Sequence, residues 1–227
     1  QPVKPYWQDI QVVAVNKEKP RSSFMSYADR ETALTSRFEK SPYYSLLNGT
    51  WKFFFVDSYK DLPQNITDPS VNTSSWDDIT VPGNWEVQGH GVAIYTNHGY
   101  EFKPRNPQPP LLPEANPVGV YRRDIEIPAS WDNRDIYLHI GGAKSGLYVY
   151  LNGKEVGYSE DSKNPAEFLI NKYLQPGKNV LTLKIFRWST GSYLECQDFW
   201  RMSGIERDVF LWSQPKANIQ DFRVVST

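Results

Sequence analysis

The sequence predicts an all-β protein, an antiparallel sandwich or jelly roll behind an extended N-terminal arm, and three observations carry the prediction. Short segments alternate polar and apolar residues with a period of two, which sets one face of each toward a core. Turn chemistry separates them, most plainly at Asn152-Gly153 and Gln175-Pro-Gly-Lys. After residue 45 no segment carries a helical period of comparable strength.

Residues 1–45 lack sustained alternation. Tyr27-Ala-Asp-Arg-Glu-Thr-Ala-Leu suits a short helical turn, but Pro20 and Pro42 bracket it, and the segment reads as an extended arm with little core of its own. From Leu46 onward strands dominate. Trp51-Lys-Phe-Phe-Phe-Val is rich in aromatics, Ile79-Thr-Val stops at Pro82, and residues 120–127 form a mixed extended run. Within 135–140, alternation sets Ile136, Leu138 and Ile140 on one face, and Leu147, Val149 and Leu151 repeat the pattern. Asn152-Gly153 then returns the chain through Val156 and Tyr158 in the clearest hairpin of the sequence. Residues 180–186 and 207–212 supply further strands. This spacing of short strands and turns is that of a sandwich or jelly roll.

Two stretches break the rhythm. Residues 89–119 are proline-rich and do not alternate, so they read as a long surface loop leaving the sheet; its aromatics and asparagines favour function over disorder. After Pro215 a new alternating run, Ile219-Gln-Asp-Phe-Arg-Val-Val, reads as a linker and the first strand of a following domain, the alternative being a last strand of the same sandwich. The expected divisions are therefore an arm over 1–45, the sandwich over 46–215, and the linker with its strand over 216–227.

Composition narrows the function. Lys plus Arg number 25 against 26 Asp plus Glu, so no basic field points to nucleic acid or an anionic membrane. No apolar run approaches the roughly 18 residues of a membrane span. The single Cys196 allows no intrachain disulfide and is assigned to packing. The start at Gln1, with no Met and no leader, is read as a processed mature chain, which predicts a periplasmic or secreted location with a cytoplasmic one left open. Sequons at Asn48, Asn65 and Asn72 matter only in a glycosylating host.

The chemistry concentrates in residues 193–205. Glu195 and Asp198 stand three residues apart, among Tyr193, Phe199, Trp200 and Arg201. Carboxylates beside aromatic faces suit a sugar, because the acid accepts hydrogen bonds from hydroxyls and a ring stacks on the apolar face of a pyranose. The plainer reading is a loop with core aromatics and with acids that are solvated or paired to Arg201 or Arg207. A glycosidase needs two carboxyls about 5–10 Å apart. Glu160-Asp161 and Glu195/Asp198 are the candidate pairs, the first disfavoured because adjacent strand residues face opposite ways. His90, His98 and His139 lack metal-ligand spacing and read as satisfied polar side chains, and no serine sits in a nucleophile elbow.

Seven segments, in order, resemble the amino-terminal domain of the large bacterial β-galactosidases of glycoside hydrolase family 2. They are Leu47-Asn-Gly-Thr-Trp-Lys-Phe, Val81-Pro-Gly-Asn-Trp-Glu-Val-Gln-Gly-His-Gly, Ile94-Tyr-Thr-Asn, Asn116-Pro-Val-Gly-Val-Tyr-Arg, Asn152-Gly-Lys-Glu-Val-Gly-Tyr-Ser-Glu-Asp-Ser, Arg187-Trp-Ser-Thr-Gly-Ser-Tyr-Leu-Glu and Gln197-Asp-Phe-Trp-Arg-Met-Ser-Gly-Ile. β-Glucuronidases and β-mannosidases of the family share the Val-Gly-Val-Tyr-Arg and Asn-Gly features but look less like the Gln197 block.

The resemblance implies a jelly-roll domain of the galactose-binding type that binds sugar without catalysing. It also implies a downstream immunoglobulin-like domain and a (β/α)₈ barrel that carries both catalytic glutamates. By position in the motifs, Asn97 and Asp198 match residues that contact the galactosyl group, and Asp198 also matches a sodium ligand whose other ligands lie in the barrel. No cofactor is then held by this chain itself, while magnesium and sodium are implied for the whole enzyme, together with a β-galactoside substrate and a homo-oligomeric state. An independent carbohydrate-binding module and a domain that only braces the barrel are the competing readings. Glu160, lying elsewhere in the sandwich, is expected to tolerate replacement by alanine.

Overall fold

The computed structural model describes residues 4–102, 106–195 and 197–227. The packing role expected of Cys196 therefore lies outside the described residues. Among these residues the chain forms a sandwich of antiparallel sheets. The larger sheet orders its strands Ala14–Val15, Lys154–Ser159, Gly146–Leu151, Lys178–Phe186, Val118–Glu126, Gly49–Val56 and Asp77–Val81. The smaller runs Ala166–Leu169, Arg134–Ile140, Val209–Pro215 and Tyr44–Leu46. From Val118 onward the chain passes repeatedly from one sheet to the other, which is the winding of a jelly roll.

Alternation explains the core. Trp51, Phe53, Leu147, Val149, Leu151, Leu181, Leu183 and Ile185 from the large sheet meet Ile136, Leu138, Ile140, Phe168 and Leu211 from the small one. The Asn152-Gly153 turn takes positive φ at both residues, +53° and +77°, the geometry a two-residue hairpin demands. Asn152 also ties the turn to the next strand, its amide oxygen accepting from the Val180 amide at 2.9 Å and its nitrogen donating to the Tyr173 carbonyl at 2.9 Å. A register shift between Val149 and Tyr150 leaves Val156 as an extra residue on the facing strand. Val156 thus enters the central core, while Tyr158, two residues on, faces the other side.

The arm has no core of its own but closes both outer faces. On the large sheet Trp7 lies in a cluster with Tyr148, Tyr158 and Phe186, its ring 4.9 Å from that of Phe186. Ala14–Val15 adds an edge strand there. On the small sheet Met25 joins Tyr137, Phe210 and Trp212, with Tyr27 and Phe38 against them. This second layer is why Gly146–Leu151 is buried along its whole length. The expected helical turn is the short helix Arg30–Leu34, capped by the Asp29 side chain on the Thr32 amide.

The strand expected within 219–225 does not form among the described residues. Ile219, Phe222, Val224 and Val225 are exposed, and residues 216–227 carry no strand. The segment lies beside the arm instead, where Ser22 donates from its amide to Asp221 at 2.9 Å and from its hydroxyl to the Phe222 carbonyl at 2.8 Å. No helix is long and apolar enough to cross a membrane among the described residues.

Candidate functional site

The proline-rich loop does leave the large sheet, but it carries a strand. Ile94–Thr96 pairs antiparallel with Phe199–Arg201, setting Thr96 against Phe199, Tyr95 against Trp200 and Ile94 against Arg201. Alternation then sorts the side chains. Tyr95 and Trp200 face outward, each more than half exposed, whereas Arg201 is buried and lies over the Phe199 ring at 4.4 Å. One step beyond this ladder, on either strand, stand Asn97 and Asp198. The fold brings together the two residues that the sequence singled out.

Both are exposed. The Tyr95 hydroxyl donates to Oδ1 of Asp198 at 2.7 Å, and its pKa is raised by that hydrogen bond and by the charge behind it. The Tyr95 and Trp200 rings approach to 5.7 Å in a tilted arrangement. Asn97 meets Nδ1 of His98 through its amide oxygen at 2.7 Å, and Thr96 Oγ1 donates to the His98 carbonyl at 2.5 Å. Among the described residues the second Asp198 oxygen is left to accept and the Asn97 NH₂ to donate, with the Tyr95 and Trp200 rings beside them. Such groups can pair with hydroxyls and stack on an apolar ring face.

The other acids do something different. Glu195 does not join Asp198; it accepts from Ser162, amide at 2.8 Å and hydroxyl at 2.6 Å, and burial raises its pKa. Glu160, expected to be dispensable, is 3% exposed. It accepts from the Tyr158 hydroxyl at 2.7 Å, Thr190 Oγ1 at 2.9 Å and the Gly191 amide at 2.7 Å, and burial raises its pKa as well. A hairpin end looks exposed in sequence, but here the 190–193 turn covers it. Asp161 is exposed and holds Asn164. Neither Arg201 nor Arg207 pairs with Glu195 or Asp198; Arg207 donates to the carbonyls of Gly141 and Lys163.

Buried charges beneath the ribbon went unread in the sequence. Glu86 accepts from Trp85 Nε1 at 2.7 Å and the Ser203 amide at 2.8 Å, with Arg187 at 3.8 Å, and burial raises its pKa. Glu101 faces Lys144 at 3.2 Å and Arg187 at 3.8 Å. The one signal for Glu101 was its place between Tyr100 and Phe102, whose rings pack edge-on against Tyr193 at 4.8 and 5.2 Å.

Two of the histidines pack against aromatic rings. His139 meets Glu167 through Nδ1 at 2.8 Å and stacks on Phe210 at 4.1 Å, and His90 lies edge-on to Phe53. No group of three or more His, Cys, Asp or Glu side chains could hold a metal among the described residues. Asp198 brings one carboxylate with one engaged oxygen, which fits a single ligand of a shared sodium site and not a whole one.

Comparison with known proteins extends this picture. The pattern of glycosyl hydrolases family 2, sugar binding domain, matches residues 44–215. A β-galactosidase of Priestia megaterium is 41% identical over 98% of this chain and 22% of its own length. A β-galactosidase of Actinobacillus pleuropneumoniae is 41% identical over 96% of this chain and 21% of its own length. The chain thus spans about a fifth of these relatives. Among solved structures, a Bacteroides uniformis β-glucuronidase superposes with a TM-score of 0.57 at 22% identity, covering 76% of this chain and 18% of that one. A β-glycosidase of Bacteroides vulgatus gives 0.54 at 25% identity, over 75% and 20%.

Proposed function

The chain belongs to glycosyl hydrolases family 2 as its sugar-binding domain, and on that premise we propose that it is the non-catalytic sugar-binding domain of a larger β-galactosidase that hydrolyses terminal β-galactosides with retention. Asn97 and Asp198 stand at the rim of the galactosyl site, which a downstream barrel completes. The carrying observation is the ribbon that puts Asp198 and Asn97 at facing ends of its two strands beside two exposed rings, with one Asp198 oxygen and the Asn97 NH₂ unengaged among the described residues. An acceptor and a donor at fixed separation discriminate the orientation of neighbouring hydroxyls.

Catalysis itself belongs elsewhere. Of the two acids that could have acted together, Glu195 is bound to Ser162 and Asp198 to Tyr95, so no free pair brackets a glycosidic bond. Asp198 would also furnish one ligand to a sodium ion beside the sugar, a bound cation that neutralises and orients hydroxyl oxygens. Magnesium, the following domains and a homo-oligomeric assembly belong to the whole enzyme in this reading. Identities near 41% to two β-galactosidases favour the galactoside as substrate.

The test uses this chain with a chromogenic β-galactoside and with galactose. No aglycone should be released. Galactose should bind no tighter than roughly millimolar, because an open rim buries little of a small ligand. A micromolar dissociation constant by calorimetry would replace this reading with an independent carbohydrate-binding module. Turnover that vanishes with Glu195→Gln would place a catalytic acid here.

A further inference from the structure

Residues 97–100 form a short arch between two fixed feet, and Asn97 rides on it. At the first foot Thr96 is laddered to Phe199, and its carbonyl lies 3.5 Å from Nη2 of Arg201. Gly99 turns the arch at a φ of +73°, a conformation that a side chain at this position would strain. At the second foot the chain dives inward at Glu101, which is 5% exposed although it lies in a surface loop.

The Glu101 carboxylate enters a pocket of charge. The Lys144 ammonium stands 3.2 Å from one oxygen, with both side chains almost fully buried. Arg187 lies 3.8 Å from the other oxygen and also donates to the Val92 carbonyl at 2.8 Å, earlier in the same loop. Lys144 is rigidly placed, because Ala143–Lys144 is laddered to Gly204–Ile205, and that strand to Gly83–Asn84. Lys144 and Arg187 are both buried and face Glu101, and Glu86 lies 3.8 Å from Arg187. Withdrawing Glu101 would take away the carboxylate that stands 3.2 Å from the buried Lys144 ammonium. A buried charge without its partner is strongly unfavourable, so the ammonium keeps the glutamate docked and the arch with it.

We propose that Glu101 is a positioning residue for sugar recognition: through Lys144 it pins the far foot of the 97–100 arch and thereby holds the Asn97 amide beside Asp198. This rests on the reading that Asn97 and Asp198 contact the sugar. Glu101 itself touches no substrate. Its effect on affinity travels through the backbone between residues 97 and 101.

The experiment compares Glu101→Gln, Lys144→Met and their double variant in the whole enzyme, with Asn97→Ala and Asp198→Asn as measures of the sugar contacts. Hydrogen exchange over residues 94–102 and the KM and kcat for a β-galactoside are read together. Each single variant should speed exchange at 97–100 about tenfold or more while residues 199–201 stay protected. KM should rise roughly five- to thirtyfold with kcat changed much less, as expected for lost ground-state contacts. The double variant should be no worse than Glu101→Gln, since one pin has been removed from either side. Unchanged exchange at 97–100, or losses in the double variant that add, would overturn the proposal. If exchange rises as expected but Asn97→Ala and Asp198→Asn leave KM untouched, the anchoring stands and the sugar contact falls. The positioning role is then overturned together with that contact.

Discussion

The Tyr95 hydroxyl donates to Oδ1 of Asp198 at 2.7 Å across two strands that lie far apart in the chain. This bond fixes the rotation of an otherwise exposed carboxylate. It leaves one oxygen, in a defined place, for a ligand. Tyr95→Phe in the whole enzyme removes the donor and keeps the ring against Trp200. The expected result is a fall in kcat/KM on β-galactosides of about three- to tenfold with an unchanged melting temperature, as for one lost exposed hydrogen bond. Unaltered kinetics would mean that Asp198 needs no orienting partner.

Asp198→Asn removes the acceptor charge and keeps the shape. A charge-assisted bond to a sugar hydroxyl is worth about ten- to two-hundredfold in kcat/KM. Sodium should also lose its influence on KM in this variant. Glu160 is unsuitable as the acidic control because it is buried, so Glu114→Ala serves, its side chain being 90% exposed and paired with Lys60. That variant should stay within about twofold of the parent. Full activity of Asp198→Asn would leave the domain as a brace for the barrel.

Glu160 makes stability depend on pH in a stated direction. Burial raises its folded-state pKa above the ordinary 4.5, so between those two values the folded chain holds more protons than the unfolded one. The associated stability is fully present below the unfolded value and is lost as pH rises through the folded one. Melting temperatures of the wild type and Glu160→Gln, measured from pH 4 to 7, should show the wild type's advantage largest at pH 4 and shrinking upward. A gap independent of pH would show that folding does not shift the Glu160 carboxyl.

Trp7 couples the arm to the large sheet. It is 2% exposed, with its ring 4.9 Å from Phe186 and 5.1 Å from Tyr59. Trp7→Ala should cost about 3–5 kcal/mol in denaturant unfolding, the range for losing a large buried aromatic. A loss below 1 kcal/mol, a value typical of surface substitutions, would mean that the arm does not share the fold of the sandwich.

The strands were legible because their cause is local. Alternation at Ile136, Leu138 and Ile140 and the Asn152-Gly153 turn need only a sheet face and a positive φ, and both can be read within a few residues. The ordered motifs likewise marked Asn97 and Asp198. Periodicity alone did not find the strand Ile94–Thr96, because three residues give too short a pattern, and its partner lies a hundred positions on.

The tertiary structure decided what burial and distance decide. A glutamate in a proline-rich loop reads as solvated until a lysine from another strand is found 3.2 Å away, and the flanking Tyr100 and Phe102 are the one local mark of it at Glu101. Glu160 and Glu195 look equivalent to Asp198 in sequence. They differ because the 190–193 turn covers Glu160 and Glu195 reaches to Ser162, while the ribbon lifts Asp198 into solvent. Sequence alone determined most of the strands and marked the motif residues proposed to contact a sugar. Only the packed chain determined which carboxylates remain free to bind one, because desolvation and pairing are set by neighbours from distant parts of the sequence.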